Sequence, residues 1–536
     1  MRRAPLIGLF FLMVAGAGCT EKATPPEAAR ADKPLPQEAV RKDEPGPPEA
    51  AVADIAAGAD NAAHADNAAH ANKAVGAAKP IPQDPARSEK RFRDRLAWNR
   101  LTLADAYDKV GKKDPRWDAP VREAMELTAR MFSEQVDPQV RFGEIYKPAK
   151  AAVDAGCDDP LLIYLYNRCA DGLKFPGWEE ATRRLTASAE ALSTSRYPVI
   201  RRVVPLELAG TYAMQTANPG DRVREEAERH FDAALALLPE SAATDVRNEF
   251  WEDRWFDTLN ELIKGYRKLG IAPQAAYEKV DAGLAKAPEL TVLRLQIRGE
   301  FWLLYGWEAR TRAFAPSVPA GGFEKLEMCL AKAKKAFEEA WTLRPSDALT
   351  ATYLLDIDKA IGGDRETMEL WFDRAMKADG NHYAACLTKL DWLDPKWHGT
   401  PEEMLAFGQA CRETKNWRTG ITLLAADAHF RYYSILPPEE KPKYLGSPEV
   451  WSEIKAVNDE YLEHFPDNDA ARSKYAALGY IAAHYPESHA QFEKLGDRLT
   501  TWNGFPNYTL PMLKQFRAKA AQRVPAGASA RERAGH

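Results

Sequence analysis

The stretch AKKAFEEAWTLRP at Ala333–Pro345 decides how this chain is read. Ala333, Phe337, Ala340 and Pro345 follow the spacing A-x3-F-x2-A-x4-P, and AERHFDAALALLP repeats it at Ala227, Phe231, Ala234 and Pro239. Ala276, Val280, Gly283 and Pro288 keep the intervals with smaller residues, and Met368, Phe372, Ala375 and Gly380 keep them with Gly in the Pro slot. Positions three and four apart share one helix face. A small Ala lets a second helix approach, the Phe fills the adjoining hole, and the Pro ends the helix. A single pair cannot cover its own apolar stripe, so such pairs stack. The pattern predicts an all-α chain.

Outward from these copies the helical spacing continues. From Ser88 onward apolar residues recur every three or four positions, strand-like alternation is scarce, and Pro and Gly punctuate at helix-pair intervals. Thr400-Pro401-Glu402-Glu403 reads as a capping box, and Ser447-Pro448-Glu449 as a second helix start. About twenty helices are predicted. Pro345 to Gly380 is 35 residues, close to the period of tetratricopeptide repeats. The expected fold is an α-α superhelix of tetratricopeptide-like pairs over 206–500, interrupted by an insertion around Phe314 to Gly322. An N-terminal helical region over 88–205 precedes it, and a C-terminal helix with a basic tail over 501–536 follows.

The first 87 residues read differently. Arg2 and Arg3 precede an uncharged run from Ala4 to Gly18, which suits an export signal better than a bilayer span. The run ends at Cys19, and Gly16-Ala17-Gly18-Cys19 resembles a bacterial lipobox, with Gly16 where Leu is usual. That resemblance implies lipidation of Cys19 and a protein anchored on the periplasmic face of the envelope. Thr20 in the next position favours the outer membrane. An ordinary cleaved secretory signal is the alternative. Residues 19–87 form an Ala- and Pro-rich linker: Thr20 to Ala86 holds 21 Ala and 10 Pro and no aromatic residue. Such a segment buries too little apolar surface to offset its ordering entropy, so it reads as a disordered tether.

Composition narrows the functional classes. With 73 basic against 78 acidic side chains and a net charge of −5, nothing points to a nucleic-acid partner. Beyond Cys19 the cysteines are Cys157, Cys169, Cys329, Cys386 and Cys411, an odd and scattered set whose disulfide status the sequence leaves open. No phosphate loop, dinucleotide turn, zinc helix or nucleophile elbow occurs, so no catalytic residue, metal ligand or cofactor is assigned. His382 and Cys386 stand four apart on one predicted helix, within reach as a thiol–base pair, although neighbouring Ala384 and Ala385 suggest packing.

A family resemblance rests on ordered blocks. Arg298-Gly299-Glu300-Phe301-Trp302, Tyr305-Gly306-Trp307-Glu308-Ala309-Arg310, Trp371-Phe372-Asp373-Arg374-Ala375-Met376 and Asp394-Pro395-Lys396-Trp397-His398-Gly399-Thr400 occur in that order. Together they resemble a bacterial family of Trp-rich, tetratricopeptide-like proteins defined by a domain of unknown function, over Glu207 to Leu499. The resemblance implies a helical solenoid and carries no reaction. The candidate binding groove comprises Trp302, Tyr305, Trp307, Arg310, Trp371, Arg374, Lys389 and Trp397. Core packing is the competing role for the Trp residues, and paired structural charge for Arg310 and Lys389. The expectation is an envelope-tethered scaffold for a protein or peptide partner, without catalysis of its own. The alternative is a helical-toroid enzyme or carbohydrate-binding protein, drawn from the 14 Trp and the abundant carboxylates.

Overall fold

The structure, a computed structural model, describes residues 81–133, 138–173, 177–215, 220–311, 318–501 and 508–524. Every regular element among the described residues is a helix. The first part holds α1 (Pro85–Thr102), α2 (Ala104–Val110), α3 (Asp118–Met131), α4 (Pro138–Asp154), α5 (Pro160–Gly172), α6 (Trp178–Ser193) and α7 (Val199–Ala213). The middle holds α8 (Asp221–Ala236), α9 (Leu238–Thr244), α10 (Glu249–Lys268), α11 (Pro273–Leu284), α12 (Thr291–Arg310), α13 (Gly322–Leu343), α14 (Ala348–Ile361) and α15 (Arg365–Ala378). Next come α16 (Tyr383–Trp392), α17 (Pro401–Glu413), α18 (Leu424–Ile435) and α19 (Lys441–Leu445). The chain continues through α20 (Pro448–His464), α21 (Asp469–Ile481), α22 (Tyr485–Leu495) and α23 (Leu510–Arg523).

Packing is dominated by neighbours in sequence. Helices α3 and α4, α7 and α8, α12 and α13, α14 and α15, and α21 and α22 form antiparallel pairs, while α10 with α12, α14 with α16 and α18 with α20 stack one pair on the next. The apolar core is accordingly a succession of patches along the chain. That arrangement is the tetratricopeptide-like superhelix.

The repeated pattern explains the stacking. Phe231 and Phe337 are fully buried, as are the Ala residues that frame them. The holes they fill are made by glycine. A Cβ on Gly210 or Gly265 would stand 2.5 or 2.6 Å from the Phe231 ring, and one on Gly299 would stand 2.4 Å from the Phe337 ring. The weaker copies are buried as well, through Ala276, Val280, Met368, Phe372 and Ala375. The prolines divide into two roles. Pro345 lies just beyond α13, whereas Pro239 sits in the first turn of α9 instead of stopping the chain, a position where its missing N–H costs nothing. The capping box at Thr400 makes both of its reciprocal bonds, at 3.2 and 3.1 Å, and the Ser447 hydroxyl accepts from Val450 N at 3.3 Å.

The glycine contacts predict opposite signs for one chemical change. Gly299→Ala forces a methyl into the Phe337 ring and destabilises by ~1–3 kcal/mol. Gly143→Ala, within α4 and with nothing within 4 Å of the new methyl, stabilises by ~0.5–1 kcal/mol. Urea denaturation midpoints of the two variants check this, and a shift of the same sign in both contradicts the packing account.

Candidate functional site

The N-terminal helix meets parts of the chain that are far away in sequence. Asp84 caps α1 by accepting from Arg87 N at 3.0 Å. Arg87, Arg91 and Arg95 then recur at four-residue spacing on one stripe. Eighteen residues at about 1.5 Å each make a rod roughly 27 Å long. Its C-terminal half is core: Trp98, Asn99 and Thr102 are buried, Trp98 Nε1 donates to Val246 O at 3.3 Å, and Asn99 Nδ2 donates to Ser133 Oγ at 3.0 Å.

The N-terminal half and the residues before it rest on the later repeats. Ile81 is buried in the core patch built by α14 to α18. Gln83 Nε2 donates to Gly380 O at 3.1 Å and its Oε1 accepts from Asn416 Nδ2 at 3.1 Å. Arg87 Nη1 donates to Lys377 O at 3.0 Å, and Ser88 Oγ to Asn381 Oδ1 at 2.7 Å. Gly380, the Gly in the Pro slot of the fourth repeat copy, is where this segment comes closest. A Cβ there would lie 3.3 Å from Pro82 O.

Charge organises the contact. Arg91 pairs with Asp379, with Glu249 at 2.9 Å and with Asp253 at 3.9 Å, while Arg95 reaches Asp253 at 3.8 Å. Arg418 meets Glu89 at 3.3 Å and lies over the Phe92 ring at 4.1 Å. Burial works against the Asp379 charge, but nearby His382, at 3.8 Å, and the Arg91 guanidinium hold its carboxyl well below the usual range. These carboxylates are therefore the receiving half of an arginine–carboxylate lattice. The outer pairs, Arg91–Glu249 and Arg418–Glu89, are of the exposed kind that contributes ~0–1 kcal/mol each and weakens with salt, whereas Asp379 is buried.

The eight residues singled out from the sequence fall elsewhere, in four groups. Trp302 and Tyr305 pack against the first core patch, with Lys332 Nζ 3.9 Å from the Trp302 ring centre and Lys325 Nζ 3.0 Å from the Tyr305 hydroxyl. Trp307 meets Trp397 edge-on at 6.2 Å, with Arg310 over Trp307 at 5.9 Å. Trp371 meets Trp341 edge-on at 5.4 Å beneath Arg374. Lys389 is buried, bonded to Glu369 at 2.7 Å and seated over Phe372 and Phe407. None of the eight lines the cavity of about 460 Å³ beside α1. The residues that do, Arg91, Arg95, Arg201, Asp253 and Asp379 among them, were not singled out. The Arg87-x3-Arg91-x3-Arg95 stripe was the signal that could have found them.

The remaining chemistry resolves into packing. Cys386 Sγ contacts Met376 Sδ at 3.7 Å, and His382 turns instead to Asp379, at 3.8 Å. The five cysteines after Cys19 are buried free thiols. Among the described residues no His/Cys/Asp/Glu group could hold a metal ion, and no helix is long and apolar enough to cross a membrane. The export signal, Cys19 and the linker as far as residue 80 lie outside the described residues.

Neither a protein-family model nor a curated protein matches this sequence. Among solved structures, the crystal structure of yeast Tom70 aligns over 84% of this chain and 97% of that chain, at 11% identity and a TM-score of 0.29. The fold assignment rests on the helix pairing and the phenylalanine–glycine contacts. The family suggested by the ordered blocks finds no matching model; the helical-repeat fold it implied is present.

Buried acids around α10 set a pH dependence, among them Asp257, which burial pushes up to about 7, and two glutamates. Burial, reinforced by Glu261, pushes the Glu207 carboxyl up to about 7. Burial likewise pushes Glu300 up to about 7, although Asn260 Nδ2 donates to it at 2.5 Å and Tyr353 also hydrogen-bonds it. Both bind protons more tightly in the folded chain. Their stabilisation is complete below the ordinary glutamate value and is lost as pH rises through about 7. The thermal midpoint should fall between about pH 5 and pH 8. Glu300→Gln, which stays neutral, should flatten that fall by up to a few kcal/mol. Equal slopes in variant and parent chain would contradict the assignment.

Proposed function

We propose that this protein is a helical-repeat scaffold that binds a protein or peptide segment on the face where α1 lies, held at the cell envelope by lipidated Cys19 and contributing no chemistry of its own. The observation that carries the reading is α1 itself. The start of α10, the end of α15 and the turn after α17 already grip a stretch of polypeptide through main-chain acceptors at Lys377 and Gly380, amide groups at Asn381 and Asn416, and carboxylates at Glu249, Asp253 and Asp379. Backbone acceptors supply affinity without sequence preference, and the carboxylates select arginine-bearing segments. The partner class is a short segment with an arginine stripe. The Trp-rich family resemblance is compatible with such a role, and the lipobox-like Cys19 and aromatic-free linker supply the anchor and the spacer.

Two measurements test the two halves. A labelled copy of residues 80–95 should bind the full chain weakly, because α1 occupies the site. Binding should become saturable and salt-sensitive once Arg87, Arg91 and Arg95 are replaced by Glu. If the peptide fails to bind the triple variant, the inner face is not a peptide acceptor. For the anchor, radiolabelled palmitate should enter the parent chain and not Cys19→Ser; equal labelling would remove the lipid tether.

A further inference from the structure

The cavity beside α1 is two-faced. Part of its wall is mostly apolar, built from Met131, Phe132, Phe142, Tyr164, Leu165 and Ile200, with Arg168, already paired to Asp171 at 2.9 Å, over the Phe142 ring. Where this sleeve meets the charged lattice stand Arg95, Arg201 and Arg254.

Arg201 differs from Arg168, Lys359 and Lys389, which have carboxylates within ion-pair distance, and from Arg472, which does not line the cavity. Arg201 is 8% exposed. Its Nε and Nη2 donate to Thr102 Oγ1 at 3.0 and 2.7 Å, Nη2 also reaches Asn99 Oδ1 at 2.5 Å, and the guanidinium lies over the Trp98 and Phe132 rings at 5.1 and 5.3 Å. Every one of these partners is neutral, and no carboxylate among the described residues lies within 4 Å of it; Asp245, which accepts from Val199 N and Ile200 N at 2.9 Å, acts on it only from farther away. A guanidinium so placed loses hydration without gaining an ion-pair partner. Burial and the like charge of Arg254 push its pKa down to about 9.

We propose that the cavity is a binding site for a small organic anion, with its oxyanion head on Arg201 and its apolar stem in the sleeve between Phe132, Phe142 and Leu165. A carboxylate or phosphate monoester supplies the missing counter-charge through charge-assisted hydrogen bonds, for which the planar guanidinium suits both heads. The volume lies within the range of small-molecule pockets, which combine apolar walls with a few placed polar groups. The peptide-binding reading is not needed for this assignment, which stands on different residues.

Isothermal titration of the full chain with octanoate, octyl phosphate, octanol and inorganic phosphate tests it. One or both octyl anions should bind saturably and about tenfold or more tighter than octanol, the span of one hydrogen bond to a charged group. Comparing the two anions identifies the head, and inorganic phosphate, lacking the stem, should bind more weakly than either. Arg201→Gln should lose that preference while keeping the affinity for octanol. Because Arg201 also ties α7 to α1, a second readout uses the unaltered chain. Saturating octanoate or octyl phosphate should raise the thermal midpoint of that chain more than octanol does. Equal affinity for octanoate and octanol overturns the proposal. So does unchanged anion binding in folded Arg201→Gln, or an unshifted midpoint at saturating anion; Arg201 is then a brace between two helices.

Discussion

The seating of a phenylalanine ring against glycine is the contact on which the array depends. Phe231 occupies the space that Gly210 and Gly265 leave open on two neighbouring helices, and Phe337 does the same against Gly299. Each ring thereby locks the two helices of its own pair, α7 to α8 and α12 to α13, and through Gly265 on α10 the Phe231 ring also ties its pair to the next. Removing a buried Phe from such a site costs ~3–5 kcal/mol. The superhelix therefore inherits its cooperativity from a few ring-sized contacts. The ordered block around Glu300 is explained in the same terms. Gly299 makes the hole, Glu300 bonds Asn260, Phe301 stacks on Tyr277 at 4.4 Å, and Trp302 covers the edge.

On this frame α1 is held in two unequal ways. Its second half is core, where Trp98 and Asn99 are shielded from solvent. Its first half is held by ion pairs whose Arg91 side chain keeps 31% of its exposure, a setting in which salt screens the attraction. The same helix thus has one end fixed by apolar burial and another held by exchangeable charge. The stretch just before the helix is fixed as well, by Ile81 in the patch of α14 to α18, so only the arginine-bearing turns between are held mainly by polar contacts. Gly380 shows that the repeat array accommodates this segment: side-chain bulk at that slot would press on the Pro82 carbonyl, and the repeat copy has none.

Much of the fold was legible. The A-x3-F-x2-A spacing located buried faces, and the Thr400 box and Ser447 start located helix ends, because caps and periodicity are local. The candidate site was not. Periodicity separates buried from exposed faces, yet it does not say which exposed face turns inward or which distant residue answers it. Trp302, Trp307 and Trp371 drew attention by size and stand at core edges, where large amphipathic rings serve packing. Arg91 and Asp379 are 288 residues apart, and no local signal joins them. The glycines were invisible for a similar reason: a hole is defined only by the ring that enters it.

The buried cations carry the final step. Lys389 has Glu369 at 2.7 Å, Arg168 has Asp171 at 2.9 Å, and Lys359, with no exposed side-chain surface, has Asp356 at 2.9 Å. In each case the fold supplies a carboxylate along with the cation, so desolvation is offset internally and the pair adds register to a helical stack. Lys389, considered for a binding groove, belongs with these structural charges. Arg201 is buried to a similar degree with hydroxyl, amide and aromatic neighbours, all neutral. Arg472 is also buried among neutral partners, Gln491 Oε1 and Pro466 O at 2.7 Å each, but it does not line the cavity. Arg201 does, so its unmatched charge faces open space. Burial among neutral groups together with a cavity, and not burial alone, is what sets Arg201 apart.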